Sequence, residues 1–300
     1  YGPNVLTNEC DVLIAIGMRF DDRVTGRLDK YAKQAKVIHL DIDPAEIDKN
    51  VKTTVAVWGD CKETLPLLTE MVEKKNHAEW LQKFKEYQKE EEQQCIILEL
   101  NPTGETLTMG EVINLLNEFT NGNAVVVTDV GQHQMVACRY SKFNQSKSNI
   151  TSGGLGTMGF ALPAAIGAKF GAPQRPVVAI IGDGGFQMTI QELGTVMQSK
   201  VDIKILILNN KFLGMVRQWQ ELFNDRRYSF VDIESPDYVQ VAKGYGINGK
   251  TVTQRKELKN AIKEMLDHKG TYLLEVMVGK ENNVFPMVPQ GCSVSEIRLK

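Results

Sequence analysis

Short runs of β-branched and aliphatic residues alternate along this chain with helix-length stretches, and that alternation limits the folds open to it. Residues 12–16, 37–42 and 53–58 read as strands in the first third, and residues 12–16 as a buried one. Residues 124–128, 177–181, 203–208 and 272–278 read as four more in the remainder. Between them, helices are expected over 44–50, 61–75, 160–170, 186–199, 237–245 and 256–268. Pro44 suits a helix's first turn, Asp60 is the N-cap candidate of helix 61–75, and Thr108 with Glu111 forms a capping-box pattern for a helix reaching Phe119. Strand, crossover helix, strand is the pattern of parallel sheets covered on both faces. The chain is therefore expected to be α/β, with doubly wound, mostly parallel sheets.

Three strands are few for a complete domain of this class, and the chain opens at Tyr1 without Met, a dozen residues before a strand. Residues 1–78 are read as part of a domain, and the chain as a fragment of a longer one. A Lys/Glu/Gln-rich helix over 79–99, read as a solvated face, leads to the turn Asn101-Pro102-Thr103-Gly104. Residues 79–104 form the expected linker, and residues 105–300 hold enough alternation for a whole domain. Lys plus Arg number 35 against 37 Asp plus Glu, a net charge of −2, so nothing in the charge calls for nucleic acid or an anionic membrane. No apolar run approaches the roughly 20 residues of a bilayer span. The 5 cysteines are scattered and form no CxxC, which fits reduced thiols in the cytoplasm better than a disulfide or zinc framework.

In open α/β sheets ligands sit at the carboxyl ends of strands. Strand 177–181 ends in Gly182-Asp183-Gly184-Gly185 and runs straight into a helix. Glycines there let backbone N–H groups approach an anion at the positive end of the helix dipole. A carboxylate beside phosphates is repulsive unless a divalent cation lies between. One helix and one strand later comes Asn209-Asn210, which puts Asp183 and Asn210 at the ends of neighbouring strands. Two hard oxygen ligands facing phosphates suit Mg²⁺. The GK[ST] element of a Walker loop is absent. Gly-Asp-Gly alone could be a structural turn, and Met158, Met215 and Trp219 alone could be core side chains. His133 alone could be a structural hydrogen-bonder, and Asp41 could cap a loop.

Gly182-Asp183-Gly184 followed by Asn209-Asn210 resembles the cofactor motif of the thiamine diphosphate-dependent enzymes. The stretches Gly131-Gln132-His133-Gln134-Met135, Ser152-Gly153-Gly154-Leu155-Gly156-Thr157-Met158-Gly159 and Leu213-Gly214-Met215-Val216-Arg217-Gln218-Trp219-Gln220 resemble the catalytic subunits of the acetolactate (acetohydroxyacid) synthases. Phe20-Asp21-Asp22-Arg23-Val24-Thr25-Gly26 and Asp41-Ile42-Asp43-Pro44 resemble the FAD-binding middle domain of that family. The resemblance runs from end to end of the chain. It implies an incomplete FAD-type middle domain followed by a complete thiamine diphosphate-binding domain.

It further implies that Asp183, Asn210 and the backbone oxygen of Phe212 hold Mg²⁺, although family members often carry an acidic residue at position 212. Gly131, Gln132, His133, Gly184 and Gly185 would contact the diphosphate end, and Gly156 and Gly182 would belong to the same thiamine diphosphate site. Met158 would pack beneath the thiazolium, Met215 and Val216 would border the reacting carbon, and Trp219 would shape the seat of the second 2-oxo acid. Gly17, Arg19, Asp22, Arg23, Asp41, Ile42, Asp60 and Cys61 would line FAD, which has no redox role in the implied reaction. That reaction condenses pyruvate, with loss of carbon dioxide, onto a second pyruvate or 2-oxobutanoate, at the entry to branched-chain amino acid synthesis. A homodimer or larger homo-oligomer and a regulatory small subunit are the implied partners. The glutamate that activates the cofactor belongs in the family to a preceding domain of a neighbouring subunit. No residue here matches it, so the chain is expected to be inactive alone. Pyruvate oxidase and glyoxylate carboligase use the same cofactor, but Trp219 in its context speaks against them. Asp183, Asn210 and Met158 speak against a noncatalytic nucleotide-binding module.

Overall fold

A computed structural model describes residues 1–300. Its contacts divide into two units, Tyr1–Ile97 with Phe285–Lys300, and Leu98–Val284. Residues 285–300, placed by sequence with the second half, pack with the first. Ser293 bridges Gly26, the Arg27 N–H donates to Cys292 O at 2.9 Å, and Val294 sits in the first unit's core.

In the first unit, β1 (Val12–Ile16), β2 (Lys36–Asp41) and β3 (Val55–Trp58) form a parallel sheet in that order. Ala15 and Val37 meet Phe20, Tyr31 and Ala32 on one face. β1 is not the buried strand expected, because Val12, Ile14 and Ile16 are 44, 49 and 47% exposed. Alternate side chains of a strand point to opposite faces, and only the Ala15 side meets the core. Residues 44–50 form turns instead of a helix. Asp41 and Asp43 spend their carboxylates on the N–H groups of Asp43 and Ala45, at 2.8 and 2.9 Å, and Asp48 takes a left-handed φ of 61°. Such local bonds compete with helix formation. The helix Cys61–Met71 starts from an Asp60 N-cap as read, but stops short of residue 75 where Val72 turns extended.

The second unit holds six parallel strands: β4 (Val125–Thr128), β5 (Asn149–Thr151), β6 (Val177–Gly182), β7 (Lys204–Asn209), β8 (Asn248–Val252) and β9 (Tyr272–Met277). Their order is β5-β4-β6-β7-β9-β8. The sequence reading had only the four inner ones. The missed pair, Asn-Ile-Thr and Asn-Gly-Lys-Thr-Val, lie at the edges, where half the burial leaves no apolar run to detect. Along β4, β6 and β7, alternate residues enter two cores. Val126, Val178, Ile180 and Leu206 pack with helices Met109–Thr120, Gln132–Tyr140 and Arg255–Asp267. Val127, Ala179, Ile181 and Ile207 pack with helices Ala161–Gly171, Leu193–Ser199 and Tyr238–Gly244 on the other face. The sheet is therefore doubly wound.

This order makes β4 and β6 the point where the winding reverses. The helix after β4 buries Val136 in the first core, and the helix after β6 buries Phe186 in the second. Their starts diverge and open a crevice at the carboxyl ends. The long helix read over 186–199 is broken into Asp183–Met188, a 3-10 turn at Ile190–Glu192, and Leu193–Ser199. Thr189 leaves the helical path (φ −133°, ψ 24°) and donates its hydroxyl to Gly159 O at 2.9 Å. No helix is long and apolar enough to cross a membrane.

The capping box at Thr108 forms as the sequence indicated. Thr108 Oγ1 accepts from the Glu111 N–H at 3.2 Å, and Glu111 Oε1 accepts from the Thr108 N–H at 2.8 Å. The Thr108 hydroxyl also donates to Glu99 O at 2.6 Å. Thr108→Ala is expected to lower the unfolding free energy by about 1–2 kcal/mol in urea titrations. An unchanged midpoint and slope would show that the cap contributes nothing.

Candidate functional site

Three turns leave the carboxyl ends of β4, β6 and β7 side by side, at residues 129–131, 182–185 and 209–214. They line a cavity of about 260 Å³. Gly131, Gln132, His133, Gly156, Met158, Gly182, Asp183, Gly184, Gly185, Asn210, Phe212, Met215 and Val216, all singled out from the sequence, line it together. Trp219 does not. It lies further along the helix Gly214–Phe223 and stacks on Phe223, with centroids 4.9 Å apart. Met109, Val130, Leu213 and Gly214 line the cavity without having been singled out. Gly214 could have been found, because it separates the Asn209-Asn210 turn from Met215.

The helices Gln132–Tyr140 and Gly214–Phe223 both begin at this cavity, so their unpaired N–H groups and positive dipole ends converge there. Glycine is needed where the backbone comes this close. Gly131 has φ +146°, and a Cβ on it would lie 2.9 Å from the His133 ring. A Cβ on Gly182 would lie 2.8 Å from the same ring, and one on Gly185 only 1.8 Å from Asp129 Oδ2.

Two buried titratable groups face each other in character. Burial pushes Asp183 up to about 6, against N–H bonds from its own turn and a bond from Ser235 Oγ at 3.3 Å. Burial pushes His133 down to about 4, so its imidazole is neutral at pH 7. His133 Nε2 has no hydrogen-bond partner within the chain. A neutral imidazole with an unspent nitrogen can serve an anion's oxygen as a donor without adding charge. Behind the turn, Tyr238 Oη donates to Asp183 O at 2.8 Å, and its ring meets Phe186 edge-on at 5.2 Å.

The two asparagines after β7 divide their work. Asn209 turns toward the sheet, donating to Glu275 Oε1 at 2.8 Å and accepting from the Lys211 N–H. Asn210 turns toward the cavity, with Oδ1 accepting from the Phe212 N–H at 3.1 Å. Gln132 lines the cavity but aims its amide at protein groups, Asn210 among them. Asp183 is the one carboxylate in the lining, so a cation here would take mostly neutral oxygens and phosphate, the coordination that Mg²⁺ favours. An isolated buried carboxylate is unfavourable, and a divalent cation is what would offset it.

In the first unit, Gly17, Asp41, Ile42, Asp60 and Cys61 gather at the carboxyl edge of β1, β2 and β3, with Arg19, Asp22 and Arg23 in the segment after β1. Part of this set has structural duties. Arg19 pairs with Asp21 at 2.8 Å, Asp41 Oδ1 closes the turn to Asp43, and Asp60 caps the following helix.

The buried charge has a measurable cost. Unfolded, Asp183 ionises near 3.8, and folded near 6, so between these values folding retains a proton and rising pH costs stability. The displacement corresponds to about 3 kcal/mol. In chelator-treated buffer, Asp183→Asn is therefore expected to match the wild type near pH 4 and to exceed its stability by about 3 kcal/mol above pH 6. His133 imposes the opposite slope, its contribution being present above 6.5 and lost as pH falls through 4, and it cancels in this comparison. A pH-independent difference would contradict a buried, uncompensated carboxylate.

Comparison with known proteins follows the same division of the chain. Residues 129–276 match the family described as "Thiamine pyrophosphate enzyme, C-terminal TPP binding domain", and residues 3–68 match "Thiamine pyrophosphate enzyme, central domain". The chain is 42% identical over 298 residues to the acetolactate synthase isozyme 2 large subunit of Escherichia coli (strain K12), covering 99% of the chain and 53% of that protein. It is 44% identical over 303 residues to the acetolactate synthase large subunit of Cyanidium caldarium, covering 98% of the chain and 51% of that protein. Against the chloroplastic acetolactate synthase 1 of Nicotiana tabacum it is 41% identical over 304 residues, covering 98% and 45%. The chain spans about half the length of the curated relatives it matches.

Proposed function

The chain belongs to the thiamine pyrophosphate enzymes, and we propose that it is the cofactor-binding part of an acetolactate synthase catalytic subunit. The reaction proposed is the condensation of pyruvate, with loss of carbon dioxide, onto a second pyruvate or 2-oxobutanoate. The observation that carries this reading is the crevice at β4, β6 and β7, where Asp183 and Asn210 meet glycine-rich turns. Bound there, thiamine diphosphate supplies the carbon nucleophile and the electron sink for decarboxylation.

The protein's part is binding and orientation. Asp183, Asn210 and the Phe212 carbonyl oxygen would hold Mg²⁺, and the backbone N–H groups of Gly131, Gly184 and Gly185 would receive the diphosphate. Gly156 and Gly182 leave room for it. Neutral His133 donates without competing for charge. Met158 would support the thiazolium face, and Met215 with Val216 on the first turn of their helix would border the reacting carbon. Trp219 is four residues beyond Met215, on the same helix face, and would shape the seat of the second 2-oxo acid.

The same reading extends to the first unit and to partners. FAD would sit at the carboxyl edge of β1 to β3, where Gly17 is left-handed (φ +60°) with open space around it and Ile42 and Trp58 are exposed. The relatives' designation as large subunits supports a smaller regulatory partner, and we propose a homo-oligomer for the whole protein. Five scattered cysteines without a CxxC pair fit a reducing compartment such as the cytoplasm.

Calorimetry with thiamine diphosphate is expected to show binding that requires Mg²⁺ and disappears in Asp183→Ala. The whole protein containing this chain is expected to form 2-acetolactate from pyruvate. Binding indifferent to Mg²⁺ would overturn the assigned cation seat, and a different product would overturn the proposed reaction.

A further inference from the structure

We propose that Gln218 is a positioning residue for the cation seat, setting the polarity of the Asn210 amide through Gln132. The inference rests on the reading of Asp183 and Asn210 as Mg²⁺ ligands and adds to it a buried relay of side-chain amides. An asparagine amide can ligate a cation only through its oxygen, so a flipped Asn210 would present two N–H donors to a positive charge.

The relay begins at backbone whose polarity cannot change. Val284 N–H donates to Gln218 Oε1 at 2.9 Å, and Gln218 Nε2 donates to Val284 O at 3.0 Å. This pair of bonds permits one orientation of the Gln218 amide. Gln218 Oε1 then accepts from Gln132 Nε2 at 2.8 Å, and Asn282 O accepts from the same nitrogen at 2.9 Å. With two acceptors on its nitrogen side, Gln132 must point Oε1 toward Asn210. Asn210 Nδ2 donates to that oxygen at 3.3 Å, leaving Oδ1 on the side of the Phe212 N–H. A flip at any member would set oxygen against oxygen and nitrogen against nitrogen, in a region where unmet polar groups are costly.

Burial makes the relay effective. Gln218, Gln132 and Asn210 are 0, 2 and 5% exposed, so water has little room to substitute for a missing partner. Gly214 allows the contact, since a Cβ there would lie 2.2 Å from Gln132 Oε1 and 2.6 Å from Asn210 Nδ2. The adjacent Arg217 holds the segment from the other side, donating to Asn282 O at 3.1 Å. Gln218 thus acts on Asn210 without lining the cavity.

The test titrates Mg²⁺ into wild type, Gln218→Leu and Gln218→Glu in the presence of thiamine diphosphate, with melting curves of each metal-free chain. Gln218→Leu removes both ends of the amide. Gln218→Glu keeps the acceptor that orients Gln132 while setting a carboxylate oxygen against Val284 O, so it costs stability but retains the relay, and it preserves the test should the leucine variant fail to fold. The half-saturating Mg²⁺ concentration is expected to rise about 10-fold or more in Gln218→Leu, the usual effect of removing a ligand's orienting partner, and to stay near the wild-type value in Gln218→Glu. Affinity for thiamine diphosphate at saturating Mg²⁺ should change far less. A lower melting temperature with wild-type Mg²⁺ half-saturation in Gln218→Leu, or a loss of about 10-fold in Gln218→Glu, would overturn the relay and leave Gln218 a structural residue. Loss of Mg²⁺-dependent binding in the wild type itself would overturn the cation-seat reading and this inference with it.

Discussion

Parallel pairing of β4, β6 and β7 is what the candidate site depends on. Register brings Thr128 beside Ile180 and Gly182 beside Leu208, so β6 and β7 finish within a residue of each other and β4 two residues earlier, and the three turns that follow start side by side. Parallel strands are buried on both faces, and the Val, Ile and Leu of these strands satisfy that demand with helices on each side. The reversal of winding between β4 and β6 then leaves a crevice that no helix fills. Two helices, Gln132–Tyr140 and Gly214–Phe223, begin at that crevice and bring the N–H groups of their first turns to it.

Stability is given up to keep the crevice polar. Asp183 is buried with no lysine or arginine in the cavity lining, and Asp129 is buried with Oδ2 unpartnered. Asp129 is held by N–H groups at the start of the helix Ala161–Gly171, although burial still raises it. The glycines at 131, 182, 185 and 214 serve this packing as much as they serve a ligand, since a side chain at any of them would strike His133, Asp129 or Gln132. Glycine-rich turns thus do two things at once, approaching an anion in front and admitting a buried polar side chain behind.

The strands of high apolar content, the helix starts at Asp60 and Thr108, and the placing of Asp183 and Asn210 at neighbouring strand ends were legible because each is written in a few neighbouring residues. Edge strands β5 and β8 were not, since Asn-Ile-Thr and Asn-Gly-Lys-Thr-Val resemble loops until a partner strand claims them. Residues 44–50 looked helical because Pro44 suits a first turn, and short carboxylate bonds from Asp41 and Asp43 prevailed. Helix 186–199 looked continuous because nothing in its composition announces that Thr189 will bond to Gly159.

What is local along the chain was settled there: α/β class, parallel winding and the strand-end motif. Contacts across long stretches of chain settled the rest. Gln132 meets Gln218 and Asn282, Gly26 meets Ser293, and the Trp219 ring meets Phe223. Residue types carry chemistry, but the direction an amide or an indole faces depends on partners that only folding brings within hydrogen-bonding or van der Waals reach. That is why the residues proposed for the cation seat could be picked out from the sequence, whereas the relay proposed to aim one of them could not.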